Sequence, residues 1–342
     1  MIFLSHVGLT STGPIGVSIF LVISGFCMTY AYIDKEDKVP KASVKNNLFF
    51  TVRKIKKLYP LHALTLALVA LIIFADLIVH KVATKEIVEQ GAYFTANALL
   101  IQSWIPWKEG YFSFNAVSWY LSTVAFSYFV FPWVFRVIQS KNTKRIIELA
   151  LTTVGSMAAV SVILGIAQNK FECSNAMLKW VTYIFPVYRA GDFIIGLVSG
   201  YVFVVLKKTD NKIRCTIVEC VVIILMIIQV IIYTSGSIHA TNWMLSLFWL
   251  PTSVILVYSF AVNNGSVSHT LCKSKTLIWL GNISGEAFLI HQIAIKFSEI
   301  ITKNKYIVAI ISFTATIVCT VIWRFIYKKV KESISNKKLS LR

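Results

Sequence analysis

Charge is what this sequence has least of. Only 14% of its 342 residues are Asp, Glu, Lys or Arg, where a soluble domain carries about 25%. Acidic residues are the scarcest, 15 against 34 Lys and Arg. A chain this poor in charge, 56% hydrophobic and with a mean hydropathy of +0.70, is neither an ordinary soluble domain nor a disordered segment. The six cysteines (Cys27, Cys173, Cys215, Cys220, Cys272, Cys319) form no CxxC pair and no His/Cys ligand spacing. Neither a disulfide framework nor a metal site is therefore expected. Most of them fall in or beside apolar stretches, where Cys acts as a small hydrophobe. Internal repeats and low-complexity tracts are missing too, and no polar stretch is long enough to make a second domain.

What the chain has instead is apolar bands of about 20 residues, the length of a membrane-spanning helix. Ten segments can be laid out: 1–8 as a stub, then 14–33, 58–79, 116–135, 146–167, 188–206, 215–234, 242–263, 277–295 and 306–327. A weaker apolar piece lies near 93–106. The loops 34–57, 136–145, 207–214 and 264–275, with the tail from Arg324, hold 25 of the 34 Lys and Arg. The positive-inside rule puts all of these on the cytoplasmic side. That alternation works only if 93–106 does not span, so this piece reads as re-entrant or interfacial, with Trp104 and Trp107 at the membrane surface. The net charge of +19 is thus mostly topology. Nucleic acid is not an expected partner, because the positives sit in short loops and not on a soluble basic domain.

The expected fold class is all-α: a polytopic integral membrane protein with about ten transmembrane helices. A single transmembrane domain covers 1–330, and a basic cytoplasmic tail covers 331–342. Membrane lipids are its surroundings, and the plasma membrane is its expected location. The first segment is apolar from Met1 and gives only about eight residues before the Gly/Ser/Thr turn at 8–13. It is too short for a span and lacks the basic start of a signal peptide. The expectation is that the first half of this helix precedes Met1.

Ionisable residues inside spans are costly and are functional candidates by default. His6 lies in the stub, and a neutral imidazole there can take a proton from a hydroxyl or hold an acyl group. A structural His bonded to a backbone carbonyl is the alternative. Span 2 opens Gly13-Pro-Ile-Gly16-Val17-Ser-Ile-Phe20 and runs on to Ser24-Gly25-Phe26, small residues that admit close approach of backbones or ligands. The run Arg53-Lys54-Ile-Lys56-Lys57-Leu-Tyr59-Pro60 is the densest basic cluster. Helical periodicity puts Arg53 and Lys57 on one face, where two cations can clamp a phosphate or simply meet anionic lipid heads.

Further along, Asn115-Ala-Val-Ser118-Trp119-Tyr120-Leu121-Ser122 brings aromatic and hydroxyl groups to the start of span 4, suited to a sugar or to an interfacial aromatic belt. Arg189 and Asp192 are spaced to pair on one helix face, as a structural ion pair or a ligand site. Ser284, Gly285, Phe288 and His291 form a small-residue and polar stripe facing the bundle interior, for packing or for chemistry. His62, Asp76, Glu219 and Glu286 complete the set, with Asp76 and Glu219 close enough to span ends to reach water.

Taken in order, these blocks resemble the membrane-bound acyltransferase-3 family, which O-acetylates surface polysaccharides and related sugars. The resemblance covers nearly the whole chain. It rests on the His before span 2, the G-x-x-G-V-x-x-F-x-x-x-S-G-F block, the basic run ending in Tyr-Pro, the Trp-x-Leu-Ser block, R-x-x-[ED]-F-x-x-G, and the late G-x-I-S…F-L-I-H block. Asn-x-Val-Ser-Trp-Tyr-Leu-Ser is similar to the exopolysaccharide branch. Departures are visible: Val124 and Ala125 stand where many relatives carry Glu, Lys57 where Arg is usual, Asp192 where Glu is common and Gly285 where Tyr is common. The family also carries an Arg or Lys eleven residues before the His, a place that precedes Met1.

The resemblance implies an O-acyltransferase with no tightly bound cofactor and with acyl-CoA, usually acetyl-CoA, as co-substrate. Arg53 and Lys57 would hold its phosphates, assisted by Lys54 and Lys56. His6 would be the catalytic base or a transient acyl carrier. Ser24, Trp119, Ser122, Arg189, Asp192, Ser284 and His291 would line the substrate path. The acceptor would be a hydroxyl of a polysaccharide or of a lipid-linked sugar. Two alternatives come from other classes, a transporter of a small polar solute and a non-catalytic accessory to polysaccharide export. The first predicts pseudo-symmetric halves, of which the sequence shows no sign.

Overall fold

The computed structural model describes residues 1–171, 174–206, 211–235 and 245–340. Cys173, residues 207–210 of a basic loop, residues 242–244 at the start of the eighth expected span and residues 341–342 of the tail lie outside the described residues. Among the described residues the chain is helical, without strands. In order, the helices are α1 (Ile2–His6), α2 (Gly13–Tyr32), α3 (Val44–Ile55), α4 (Tyr59–Val79), α5 (Thr84–Ala98), α6 (Lys108–Tyr111), α7 (Trp119–Gln139), α8 (Thr143–Phe171), α9 (Asn175–Lys179), α10 (Pro186–Val205), α11 (Lys212–Thr234), α12 (Leu250–Val262), α13 (Ser266–Lys273), α14 (Lys275–Ile301) and α15 (Lys305–Ser340). A π-helical turn, Trp180–Ile184, joins α9 to α10.

Each of the ten expected apolar segments carries a helix, and among the described residues seven helices are long and apolar enough to cross a membrane. The protein is a polytopic all-α membrane protein. Three expected spans fall outside the seven. α1 has 5 residues. α12 has 13 and ends where Asn263 turns left-handed, φ +53°. α14 has 27 but is interrupted by Glu286, Lys296 and Glu299. The outward faces are apolar, as lipid contact requires: Leu71 on α4, Ile217 and Ile224 on α11 and Ile310 on α15 are all exposed.

The centre of the bundle is the α2–α10 contact. A Cβ on Gly25 would overlap the Phe193 carbonyl, and one on Gly196 would overlap the Val22 backbone. Glycine at these two places lets the helix backbones touch, as small residues do in membranes. Thr29 Oγ1 adds a hydrogen bond to the Leu197 carbonyl (2.9 Å). We expect Gly196→Val to force α2 and α10 apart and to cost at least about 1–3 kcal/mol, the usual range for overpacking. Thermal unfolding of the detergent-solubilised protein checks this; an unchanged transition would contradict the close contact.

Two helices outside the ten expected apolar segments frame the site. The first is α3, capped by Ser43 Oγ accepting from Asn46 N–H (3.3 Å). It packs along α7, where the buried Asn47 donates Nδ2–H to the Phe129 carbonyl (2.8 Å) and Phe50 stacks on Phe131. The second is α5. Its end is held by a buried polar network: Asn97 donates to Ser113 Oγ (2.7 Å) and to the Tyr93 carbonyl (2.9 Å), Ser118 Oγ–H donates to Asn97 Oδ1 (3.0 Å), and Gln102 donates to the Ser118 carbonyl (3.0 Å). Asn115 ties the same segment to α14 through the Leu289 carbonyl (2.8 Å). This network fixes 93–118 against the helices that carry the candidate site.

Glu219 corrects an expectation. It does not reach water; it is fully buried, accepts from Val267 N–H (3.0 Å) and Ser268 N–H (3.2 Å), and bonds the Ser268 hydroxyl. A carboxylate satisfies the free N–H groups at the start of α13, which is what a helix N-terminus accepts best. Asp76 does reach solvent, 3.2 Å from His80 Nδ1.

Candidate active site

His6 ends α1, and the chain then turns through Gly8, the glycine with φ +77°. The turn is closed by Leu9 N–H donating to the Leu4 carbonyl (3.0 Å) and carries the chain back into α2. His6 thereby faces α14. Its Nδ1 lies 2.8 Å from Nε2 of His291. The two imidazoles are parallel within 2° with centroids 5.1 Å apart, the separation that two rings joined in line through such a contact would give. They meet edge to edge in one plane. His291 Nδ1 lies 2.6 Å from the Phe288 carbonyl of the preceding turn. Phe3 and Phe288 pack against the His291 ring, and Phe3 also packs on the buried cluster of Val7, Ile295 and Val308.

A cavity of about 220 Å³ lies between α2, α7, α14 and the start of α4, one residue layer from His291 at Phe288. Leu58 forms part of its wall, next to the basic run; Ser24, Tyr128, Ser284 and Gly285 line its length; Phe288 lines it next to His291. Ser24 Oγ and Tyr128 OH are 3.3 Å apart. Phe20, Tyr120 and Phe288 make an edge-on aromatic triangle, with centroids 5.4–6.3 Å apart. Phe20, Ser284 and Phe288 also line a second cavity of about 310 Å³ that reaches His291 itself. A larger apolar cleft, about 700 Å³, lies between α3, α7 and residues 98–104, with Lys56, Tyr59, Trp104 and Ser122 on its wall.

The basic run differs from its expected geometry. α3 stops at Ile55 and a turn at 56–58 precedes α4, so Arg53 and Lys57 do not share one helical face. Pro60 contributes to the break: it has no N–H to donate to the Lys56 carbonyl, and Pro is favoured in the first turn of the next helix. Lys54 Nζ sits 4.4 Å above the Tyr32 ring and Arg53 5.5 Å from the Phe50 ring, contacts that place both cations by attraction to the aromatic faces. Lys56 lines the large cleft, and Lys57 is exposed beside Leu58.

The other expected path residues are dispersed. Ser24 and Ser284 line the 220 Å³ cavity, and Ser284 also lines the one that reaches His291. Trp119 is buried in the core, 5.1 Å from the Tyr183 ring, and supports Tyr120 instead of facing a membrane surface. Ser122 is buried, with no hydrogen-bond partner for its hydroxyl. Arg189 and Asp192 do pair, 3.4 Å apart and fully buried. Asp192 Oδ2 accepts from Ser246 (3.0 Å), and Arg189 Nη2 donates to Ser18 Oγ (3.3 Å). Neither lines the cavity that reaches His291 or the one beside it at Phe288. Glu286 pairs with Arg324 of α15 (3.7 Å), and His62 is buried with Nε2 3.0 Å from the Asn97 carbonyl. Phe20 and Tyr120, legible in the sequence only as members of their motifs, line the 220 Å³ cavity with Tyr128; helical spacing along α2 and α7 does not separate such a lining from core packing.

An acyltransferase-3 model, described as an acyltransferase domain, matches residues 1–327. Acyltransferase MdmB from Streptomyces mycarofaciens is 26% identical over 197 residues, which cover 57% of this chain and 48% of that protein. The chain thus matches about half the length of this curated relative. No solved structure matches it.

Proposed function

The chain belongs to the acyltransferase-3 family, and on that premise we propose that it transfers an acyl group, acetyl first among the candidates, from cytoplasmic acyl-CoA to a hydroxyl of a surface or lipid-linked polysaccharide. The observation that carries this reading is the cavity between Leu58 and Phe288. It runs from the residue next to the basic run to Phe288, which packs on His291, and so gives a donor's thioester arm a route from the phosphate-holding end toward the histidine pair. Arg53 and Lys57 hold the donor phosphates with Lys54 and Lys56; charge-assisted contacts of this kind are the stronger class of hydrogen bond. Ser24 and Ser284 line the route. His6 takes the proton from the acceptor hydroxyl as its oxygen attacks the thioester carbonyl. The carbon–sulfur bond breaks, and the imidazolium returns the proton to the leaving thiolate. In this reading the 34–57 loop and the C-terminus are cytoplasmic and the membrane is the plasma membrane.

Arg53→Ala and Lys57→Ala test the donor end. Each removes a charged contact worth about 1.5–3 kcal/mol, so each is expected to raise the KM for acetyl-CoA about tenfold or more with kcat little changed. Release of the CoA thiol by the detergent-solubilised protein, with a sugar acceptor present, measures both constants. Unaltered KM in both variants would move the donor site elsewhere.

A further inference from the structure

His291 makes two contacts that together decide where the protons of the histidine pair sit. The Phe288 carbonyl can only accept, and it lies 2.6 Å from His291 Nδ1; that nitrogen therefore carries a proton and donates it. A charged ring would need a counter-charge, since burying an unbalanced charge in an apolar site is costly. The nearby carboxylate of α14, Glu286, is paired with Arg324. With a neutral ring protonated on Nδ1, His291 Nε2 is a lone-pair acceptor. His6 Nδ1, 2.8 Å away and in the same plane, must then be the donor. The proton of neutral His6 is thus on Nδ1, and its Nε2 holds the free lone pair. Among the described residues no hydrogen bond is made at His6 Nε2.

We propose that His291 is a positioning residue that fixes His6 in the tautomer with a basic Nε2, through the relay from His6 Nδ1–H to His291 Nε2 and from His291 Nδ1–H to the Phe288 carbonyl. This rests on the proposed acyl transfer, and it assigns a role that the family pattern of a late F-L-I-H block does not. In the step itself, the acceptor O–H bond breaks toward His6 Nε2 as the new oxygen–carbon bond forms at the thioester. The resulting imidazolium keeps its Nδ1–H on His291, and its Nε2 proton passes to the departing CoA sulfur. Without an acceptor at His291 the ring can turn over or adopt the other tautomer, and the base points its N–H at the hydroxyl it should deprotonate. Which nitrogen is free is set by the bond the other makes.

Two substitutions of similar size separate this role from simple packing. The side-chain oxygen of Gln reaches the place of His291 Nε2, and the side-chain nitrogen of Asn reaches the place of Nδ1. His291→Gln keeps an acceptor for His6; His291→Asn keeps the bond to Phe288 and loses His6. We expect His291→Asn to lower kcat about 100-fold or more, the scale of a general base, with the KM for acetyl-CoA unchanged, and His291→Gln to stay within about tenfold of the parent. A structural role gives the reverse order, because the Phe288 carbonyl is satisfied only in the Asn variant. Combining His291→Asn with His6→Ala supplies a measurement that needs no intact base: a positioning residue adds no further loss to the residual rate of His6→Ala, whereas damage to the fold does. Equal activities of the Gln and Asn variants, the reverse order, or an additive double variant would overturn the assignment. Full activity of His6→Ala alone would instead remove the acyl-transfer reading on which it rests.

Discussion

Replacing His6 by alanine is expected to lower acyl transfer about 10²–10⁴-fold, the contribution of a well-placed general base, while the protein still accumulates in the membrane and still binds its donor. His6 is exposed at the end of a 5-residue helix, and its ring is held by one in-line contact to His291. Removing it deletes few packing contacts, so the loss falls on kcat and not on folding. The donor's phosphates are held elsewhere in this mechanism, on the run at 53–57, so the KM for acetyl-CoA stays near its original value. Initial rates of thiol release over a range of acetyl-CoA concentrations separate the two constants. A variant with unchanged kcat would remove His6 from the chemistry.

The largest stability effect is expected at Arg189. Its guanidinium and the Asp192 carboxylate are both fully buried, and removing one partner of a buried pair leaves an uncompensated charge, costing about 3–5 kcal/mol. Arg189→Leu should therefore lower the unfolding temperature of the solubilised protein sharply. Replacing both, Arg189→Leu with Asp192→Leu, should restore most of it, because apolar substitution of a whole buried pair is often neutral or stabilising. Activity is expected to return with stability, since neither residue lines the cavity that reaches His291 or the one beside it at Phe288. A double variant that is stable but inactive would place the pair on the substrate path, the second role that its spacing allowed.

These two sites differ in how far the sequence disclosed them. The Arg189–Asp192 pair was legible because it is local: an i,i+3 spacing on one helix reads directly as a contact. His6 and His291 could each be singled out, as ionisable groups in apolar segments. Their contact, across 285 residues, has no local signal. The same holds for Glu219, whose place near a span end suggested water but whose carboxylate is claimed by the backbone of α13.

Periodicity exposed the long apolar helices well and the short ones poorly. α3 carries Arg53, Lys54 and four further polar side chains, Lys45, Asn46, Asn47 and Thr51, on a frame of Val, Leu, Phe and Ile, so its charge made it read as a loop. Its helix is secured by tertiary contacts, Asn47 to Phe129 and Phe50 to Phe131, which no window of sequence contains. The expected clamp of Arg53 and Lys57 on one face failed for a local reason that was visible in the sequence: Pro60 has no N–H to bond the Lys56 carbonyl, so α3 does not run on through 56–58.

The most direct test of the central claim follows the acyl group itself. Inside-out membrane vesicles from cells expressing the full chain are supplied with acetyl-CoA labelled in the acetyl group, so that the donor meets only the cytoplasmic face. The expected result is label appearing as alkali-labile ester in the polysaccharide or lipid-linked sugar fraction, and falling at least about 100-fold in vesicles carrying His6→Ala. Label that never enters an ester, or that enters it equally with His6→Ala, would contradict acyl transfer through this histidine.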